Sequence, residues 1–378
     1  MIRLARPAIG EEDLEAVREV LASGFLVQGA HVAAFEESVA QYVGVEHAIA
    51  VSSGTAALHL ALLSLGVQSG DLVVVTAYSF VATANVIELC GARPVFVDID
   101  GDTFNLDPEC LERVLAQLMK KKETAGCVKA VLPVHTFGQL ADMPAILEIA
   151  SRHEIPVVED AACALGATLD ERQAGTLGVL GCFSFHPRKA ITTGEGGMVV
   201  TDDAGLARLL RALRNHGQDP DAAAPDFILP GLNYRMTEFQ AALGLTQMAK
   251  LDYIIAARRR LAARYDELLQ DMSLQAPVVA PGSHPVHQSY VVLLPEEASA
   301  YRTEVIIRLK EQGIETAIGT WNMPMTTYFR SRYGYTSGDF PVADQVFARS
   351  LTLPSYESLL PSQQEEVVDA LSAFACRP

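Results

Sequence analysis

Residues 182–201 read CFSFHPRKAITTGEGGMVVT, and two short apolar runs, Cys182–Phe185 and Met198–Thr201, flank a turn that contains proline and glycine. Five similar runs precede them, at Ala48–Val51, Leu72–Thr76, Val95–Val97, Ala130–Val134 and Pro156–Val158. Most of these runs are separated by helix-like stretches, at Ala56–Leu65, Ala82–Cys90, Leu111–Lys121 and Met143–Arg152. Because strands that alternate with helices of this length indicate βαβ units, the sequence predicts a large α/β domain with a mostly parallel, seven-stranded sheet flanked by helices.

The pattern changes after Arg235. Residues 237–272 contain one glycine and no proline, which predicts one long helix leading out of the large domain. Beyond it the pattern predicts two strands and two helices, at Tyr290–Leu294, Glu304–Gln312, Leu351–Leu353 and from Gln363 onward. A chain of 378 residues also exceeds what one core usually supports. We therefore expect a large domain of residues 1–250 and a smaller C-terminal α/β domain of residues 251–378, onto which the N-terminal segment can pack.

The composition is that of a globular protein with an acidic surface. The formal net charge of -17 repels nucleic-acid phosphates and anionic lipids, so neither nucleic acid nor a membrane is an expected partner. No signal-peptide core and no apolar run of about 18 residues is present. The nine histidines offer no set of metal ligands, and no metal is expected. Six cysteines without a CxxC pair indicate reduced thiols and a cytoplasmic location, namely Cys90, Cys110, Cys127, Cys163, Cys182 and Cys376.

Residues 51–58, VSSGTAAL, join a strand end to a helix start through a glycine. Free amides and the positive end of the dipole make a helix start an anion site, so a phosphate fits there. The same pattern also suits a plain helix cap by Ser53 or Thr55.

Residues 156–163, PVVEDAAC, form an apolar run that ends in two carboxylates, and Asp160 is the better candidate of the two for chemistry. A carboxylate at this point can keep a pyridine nitrogen protonated, and the protonated ring is the electron sink that pyridoxal phosphate (PLP) chemistry requires. A helix cap or a surface pair is the alternative interpretation.

Lys189 lies in the turn between the two runs quoted first. Proline and glycines on either side hold it at a defined place, which a lysine that forms a Schiff base needs. Ser184, at the end of the preceding run, is able to give a hydroxyl to the same phosphate. Without its surroundings, Lys189 would be interpreted as an ordinary surface residue.

Two aromatic residues, Tyr78 and Phe80, follow the predicted strand that ends at Thr76. A flat ring stacked on the pyridine is a common way to fix a cofactor, whereas core packing is the alternative.

Together these residues resemble the DegT/StrS-type nucleotide-sugar aminotransferases. The resemblance runs from Ser23-Gly24 to Leu353-Pro354 and rests on the motifs SSGTAAL, VDID, EDAA, SFHPRK with TTGEGG, and LNYRM. It implies the fold of the aspartate aminotransferases, which is the PLP-dependent transferase fold type I.

The resemblance also implies roles for single residues around the cofactor ring. Lys189 matches the position that binds PLP as a Schiff base, and Asp160 the position that pairs with the pyridine nitrogen. Phe80 falls at the stacking position. Cys163 departs from the pattern, because many relatives have His or Gln there to contact the ring hydroxyl, and a thiol is only a weak donor.

Four further positions match contacts to the cofactor phosphate. Thr55, Ala56 and Ser184 correspond to contacts within one subunit. Asn233, in LNYRM, corresponds to an asparagine that reaches the phosphate of the neighbouring subunit. The resemblance therefore implies a homodimer with shared active sites.

The implied reaction moves an amino group from an amino acid, L-glutamate, through the cofactor to a nucleotide-linked keto-sugar, with Lys189 as both base and acid. The resemblance places the sugar and nucleotide near residues 287–290 and 318–324. Two alternatives stay open, a PLP-dependent sugar dehydratase or lyase and a non-catalytic PLP-binding regulatory protein. Relatives with histidine in place of the lysine are dehydratases, and Lys189 argues against that branch. The absence of a GxGxxG motif argues against a nicotinamide dehydrogenase.

Overall fold

The computed structural model describes residues 1–375, apart from the side chains of residues 122, 125 and 375. Cys376 lies outside the described residues. The strands are β1 (His47–Val51), β2 (Leu72–Thr76), β3 (Tyr78–Ser79), β4 (Arg93–Val97), β5 (Val128–Leu132), β6 (Val158–Asp160), β7 (Thr168–Leu169), β8 (Arg172–Gln173), β9 (Leu180–Ser184), β10 (Gly197–Thr201), β11 (Ser283–His284), β12 (Tyr290–Leu293), β13 (Ala317–Ile318), β14 (Trp321–Asn322) and β15 (Ser350–Leu353).

The α-helices are α1 (Glu11–Ser23), α2 (Ala30–Val43), α3 (Gly54–Ser64), α4 (Ala82–Leu89), α5 (Pro108–Lys120), α6 (Lys122–Ala125), α7 (Met143–Ser151), α8 (Ala204–Arg214), α9 (Glu238–Met248), α10 (Leu251–Leu269), α11 (Arg302–Glu311), α12 (Thr327–Tyr333), α13 (Pro341–Arg349) and α14 (Pro361–Ala375). Short 3₁₀ helices occur at Thr136–Gly138, Glu296–Tyr301 and Met323–Met325.

Seven strands form one central sheet in the order β1–β10–β9–β6–β5–β2–β4. The single parallel pairs Val131–Val157 and Val134–Asp160 join the two halves of the sheet. Strand β10 runs antiparallel to both of its neighbours, and the remaining pairs along β9, β6, β5, β2 and β4 are parallel. The predicted mostly parallel, seven-stranded sheet is confirmed.

Helices cover both faces of this sheet, which explains why its strands are mostly apolar. All five residues of β2 are buried. Val74 packs with α2, α5 and α7 on one face, whereas Val73 and Val75 pack with α3, α4 and α8 on the other. A strand buried on both sides has no polar alternation, as parallel sheets require.

The single helix predicted for residues 237–272 is wrong, because α9 ends at Met248 and α10 begins at Leu251. Lys250 between them has φ -100° and ψ -7°, outside regular helical values. Its Nζ atom donates to the buried Asp13 of α1 at 2.5 Å. This tertiary contact accompanies the break, although the local sequence favours a continuous helix.

The C-terminal part is built on a sheet of order β12–β15–β13, whose pairs are antiparallel. A separate apolar cluster joins it to α10, α11 and α14. Ile2 belongs to this cluster, and its amide donates to the Gly313 carbonyl at 2.7 Å. The N-terminal residues thus pack against the C-terminal part of the chain.

No helix within residues 1–375 is both long and apolar enough to cross a membrane. In the same described part, no three His, Cys, Asp or Glu side chains cluster in a way that would hold a metal ion. The described cysteines are free thiols, namely Cys90, Cys110, Cys127, Cys163 and Cys182.

Candidate active site

The residues singled out in the sequence meet at one edge of the central sheet. Asp160 ends β6 and pairs with Cys182 of β9, so the turn that follows β9 starts close to this carboxylate. Lys189 lies in that turn, and its Nζ atom donates to Cys163 Sγ at 3.0 Å. Ligands of open α/β sheets bind at the carboxyl ends of strands, which makes this edge the candidate active site.

The Asp160 carboxylate is buried, with 3% of its surface exposed. Thr83 Oγ1 donates to Oδ2 at 2.7 Å, and the Ala162 amide donates to Oδ1 at 3.2 Å. Burial raises the pKa of Asp160, and the two hydrogen bonds and the charge of Lys189 oppose this rise. A protonated pyridine nitrogen beside the carboxylate would favour its ionised form further. The site therefore fits a PLP ring.

Helix α3 begins at Gly54 beside Ser184. A Cβ atom at position 54 would lie 2.7 Å from Ser184 Cβ, so this close approach requires glycine. Ser53 is the N-cap, and its Oγ atom accepts the Ala56 amide at 3.1 Å, as the helix-cap interpretation predicted. Thr55 is exposed and the Ala56 side chain is buried. The start of α3, with the hydroxyl side chains of Thr55 and Ser184 beside it, has the chemistry of a phosphate site.

The two aromatic candidates have different environments. Tyr78 is fully buried, donates to Ser350 Oγ at 3.0 Å and accepts the Thr320 amide at 3.1 Å. The core-packing interpretation therefore holds for Tyr78. Phe80 has 63% of its surface exposed, and its carbonyl accepts the Thr83 amide at 3.2 Å. Phe80 thus lies one helical turn from the hydroxyl that contacts Asp160, with its ring open to solvent.

Asn233 lies at the surface close to the start of α3. Its backbone pairs with Asn215, and the Ser52 amide donates to the next carbonyl, that of Tyr234, at 2.9 Å. The Asn233 side chain is exposed, so another chain is able to reach it.

The two segments expected near the sugar come together. Gln288 and Ser289 from one segment and Ile318 and Gly319 from the other line a cavity of about 50 Å³. Arg188, the neighbour of Lys189, lines the same cavity. The cavity therefore lies against the lysine turn.

Glu159 points away from Asp160, as alternate residues of a strand do. Its carboxylate is fully buried and accepts the amides of Gly175, Leu177 and Gly178 at 2.8, 2.6 and 2.6 Å. His135 Nε2 donates to it at 2.7 Å, since His135 Nδ1 accepts a backbone amide. Glu159 therefore stabilises the segment before β9.

Two residues of the site escaped the sequence analysis. The hydroxyls of Ser79 on β3 and Thr83 on α4 lie 3.3 Å apart, but the sequence gives no sign that Thr83 faces Asp160. Arg258 donates to the Lys189 carbonyl at 3.2 Å. It is one of three consecutive arginines, and the sequence does not show which of them is buried.

The family model described as the DegT/DnrJ/EryC1/StrS aminotransferase family matches residues 7–372. GDP-perosamine synthase of Caulobacter vibrioides is 38% identical over 374 residues, which cover 98% of this chain and 97% of that protein. The crystal structure of a DegT DnrJ EryC1 StrS aminotransferase from Brucella abortus is similar with a TM-score of 0.89 at 33% identity, covering 97% of this chain and 96% of that chain. The PLP-form of Spr1654 from Streptococcus pneumoniae is similar with a TM-score of 0.90 at 25% identity, covering 99% of this chain and 98% of that chain. The chain, as the resemblance implied, belongs to the DegT/DnrJ/EryC1/StrS aminotransferase family and is a PLP-dependent aminotransferase.

Proposed function

We propose that this enzyme moves the amino group of L-glutamate to a keto-sugar linked to a nucleotide, giving an amino sugar. The observation that carries the proposal is the joint position of the buried Asp160, at the end of β6, and of Lys189, in the turn after the adjacent strand β9. The similarity to a GDP-perosamine synthase supports a nucleotide-linked sugar as the acceptor. One water is taken up when glutamate leaves as the 2-oxo acid, and one water is released when the keto oxygen of the sugar leaves.

When bound, PLP supplies a ring that withdraws electrons from the carbon losing its proton. Asp160 pairs with the ring nitrogen and keeps it protonated. Thr83 and the Ala162 amide orient this carboxylate through bonds of 2.7 and 3.2 Å. Their hydrogen bonds favour the ionised form, which is the form that can hold the ring-nitrogen proton.

Lys189 holds the cofactor covalently between reactions and moves protons during them. With the cofactor in place, the Nζ atom of Lys189 would take a proton from the donor carbon. In the second half the same atom returns a proton to the sugar carbon. Cys163, whose Sγ atom accepts from Nζ at 3.0 Å, would face the ring hydroxyl in this proposal. Phe80 offers an exposed ring face for stacking.

Thr55, Ala56 and Ser184 hold the phosphate at the start of α3 in this proposal. The Ala56 amide already donates to the Ser53 N-cap, so a phosphate that accepts from this amide would compete with the N-cap.

Asn233 reaches the phosphate in the second subunit of a homodimer with shared active sites. Phe25 and Phe227 have 81% and 62% of their surfaces exposed, and apolar side chains of this kind favour burial in a subunit interface.

The test is the visible absorption spectrum of the purified protein with PLP, before and after L-glutamate is added. We compare the native enzyme with Lys189→Ala and with the control Lys310→Ala, which changes an exposed lysine on α11. Glutamate should convert the native enzyme and the control to the pyridoxamine form, but not Lys189→Ala. Nucleotide-linked keto-sugars should then restore the original spectrum.

Two outcomes would contradict the proposal. A spectrum that no amino donor changes, with water released from a sugar substrate, would indicate a dehydratase. A spectrum that neither donors nor sugars change would indicate a regulatory protein.

A further inference from the structure

A buried arginine supports the turn that carries Lys189. Arg258 lies on α10 with 3% of its surface exposed. Its guanidinium donates to the Lys189 carbonyl at 3.2 Å through Nη2 and to the Gln288 carbonyl at 2.8 Å through Nη1. The Gln288 side chain in turn donates to the Arg188 carbonyl at 2.8 Å. Three hydrogen bonds therefore join α10, the segment around Gln288 and the lysine turn.

The charge of Arg258 is costly at this position. Both of its acceptors are carbonyl oxygens, and its Nε atom is buried without a hydrogen-bond partner among the described residues. Burial lowers the pKa of Arg258, while the charge of Glu357 opposes this effect without a hydrogen bond. A buried charge without a paired carboxylate carries a desolvation cost that no ion pair offsets, so protein stability alone does not explain Arg258.

We propose that Arg258 is a positioning residue for amino-group transfer, because it fixes the main chain of Lys189 through the Lys189 carbonyl. The proposal rests on the assignment of Lys189 as the cofactor lysine. A planar guanidinium donates to two carbonyls in fixed directions, which a single flexible ammonium does less well. Misplacement of a reacting group by about 1 Å can cost about a hundredfold in rate, so a small shift of this turn matters.

Arg259 provides a matched control. It is the next residue on α10, and it donates to the carbonyls of Pro285 and His284 at 3.0 and 2.9 Å. It therefore contacts the same segment as Arg258 but makes no hydrogen bond to the lysine turn among the described residues. Replacing Arg259 loosens the shared segment without removing the support of Lys189.

The experiment compares Arg258→Met, Arg258→Lys and Arg259→Met with the native enzyme. Cofactor-free protein is mixed rapidly with PLP, and the rise of visible absorption gives the rate of covalent capture. Borohydride reduction and peptide mapping then identify the labelled residue. Thermal unfolding, kcat and the KM for glutamate complete the comparison.

We expect Arg258→Met to slow covalent capture and kcat at least tenfold, with KM for glutamate changed less than twofold. Arg258→Lys should recover part of both rates, because an ammonium still reaches one carbonyl. Arg259→Met should stay within twofold of the native enzyme. If Arg258→Met fails to fold, the intermediate rates of Arg258→Lys decide the question.

Native rates in Arg258→Met, or equal losses in Arg258→Met and Arg259→Met, would overturn the proposal. If Arg258→Met misfolds, native rates in Arg258→Lys would also overturn the proposal. A borohydride label on a residue other than Lys189 in the native enzyme would overturn the assignment of the lysine, and this inference with it. The label thus separates failure of the proposed function from failure of the role of Arg258 alone.

Discussion

Replacing Thr83 by valine removes one hydroxyl from the buried carboxylate of Asp160 and keeps the shape of the side chain. Thr83 Oγ1 donates to Oδ2 at 2.7 Å. A hydrogen bond to a charged group contributes about 1.5–3 kcal/mol. Because about 1.4 kcal/mol equals a factor of ten and the hydrogen bond also exists without the cofactor, this contribution sets the upper limit, and PLP should bind Thr83→Val about three- to hundredfold more weakly.

The same change should alter how the cofactor-free protein responds to pH. Burial raises the pKa of Asp160, and Thr83 opposes this effect, so valine allows the pKa to rise further. A folded state that binds the proton more tightly than the unfolded chain loses stability as pH rises through the interval between their two pKa values. Thr83→Val should therefore lose more stability than the native protein as pH rises toward neutrality.

The assay is titration of the cofactor-free protein with PLP, together with chemical unfolding at several pH values. Thr83→Ser keeps a hydroxyl and should retain most of the affinity. Thr76→Val is the matched control, because Thr76 is fully buried on β2 and its Oγ1 atom has no hydrogen-bond partner among the described residues. The reasoning is refuted if Thr83→Val binds PLP within twofold of the native protein, or if Thr76→Val weakens binding equally.

Three further changes test other parts of the site. Gly54→Ala places a Cβ atom 2.7 Å from Ser184, so thermal unfolding should show a loss of about 1–3 kcal/mol, unlike Gly101→Ala, whose Cβ atom meets its nearest neighbour at 3.5 Å. Asp160→Asn should stabilise the cofactor-free protein at neutral pH, because it removes a buried carboxylate, while glutamate leaves its PLP spectrum unchanged. Burial lowers the pKa of His287 from 6.5 to about 4, so the free energy of unfolding falls by up to about 3 kcal/mol as pH decreases through this range. Urea unfolding of His287→Asn should no longer show this fall.

The central sheet was predictable because the residue composition of each strand indicates a buried strand without information from distant parts of the chain. Apolar, β-branched runs such as that of β2 are buried on both faces, and few other structures accommodate them. The break at Lys250 was not predictable, because it accompanies a contact with Asp13, which is 237 residues away in sequence. Local propensity cannot report a contact of that range.

The site was predictable where chemistry and strand ends coincide. Asp160 and Lys189 follow runs that form adjacent strands, so their meeting follows from the fold class. Thr83 and Arg258 act on these two residues from other elements, and their roles depend on which helix face turns toward the sheet. Tyr78 and Phe80 are two residues apart, and only the packing shows that the first is buried and the second exposed.

The antiparallel direction of β10 has a consequence for the lysine turn. Gly197 of β10 pairs with Ser184 of β9, and the Phe185 amide donates to the Gly196 carbonyl at 2.9 Å, so both ends of the turn are fixed to paired strands. By contrast, α3 follows β1 and leads away from the sheet, so its start is fixed to a paired strand on one side only. Because β10 lies between β1 and β9, the base of the turn opens only when central strands separate. Amide hydrogens at this base should therefore exchange with solvent only through global unfolding, and the lysine keeps its place for as long as the protein is folded.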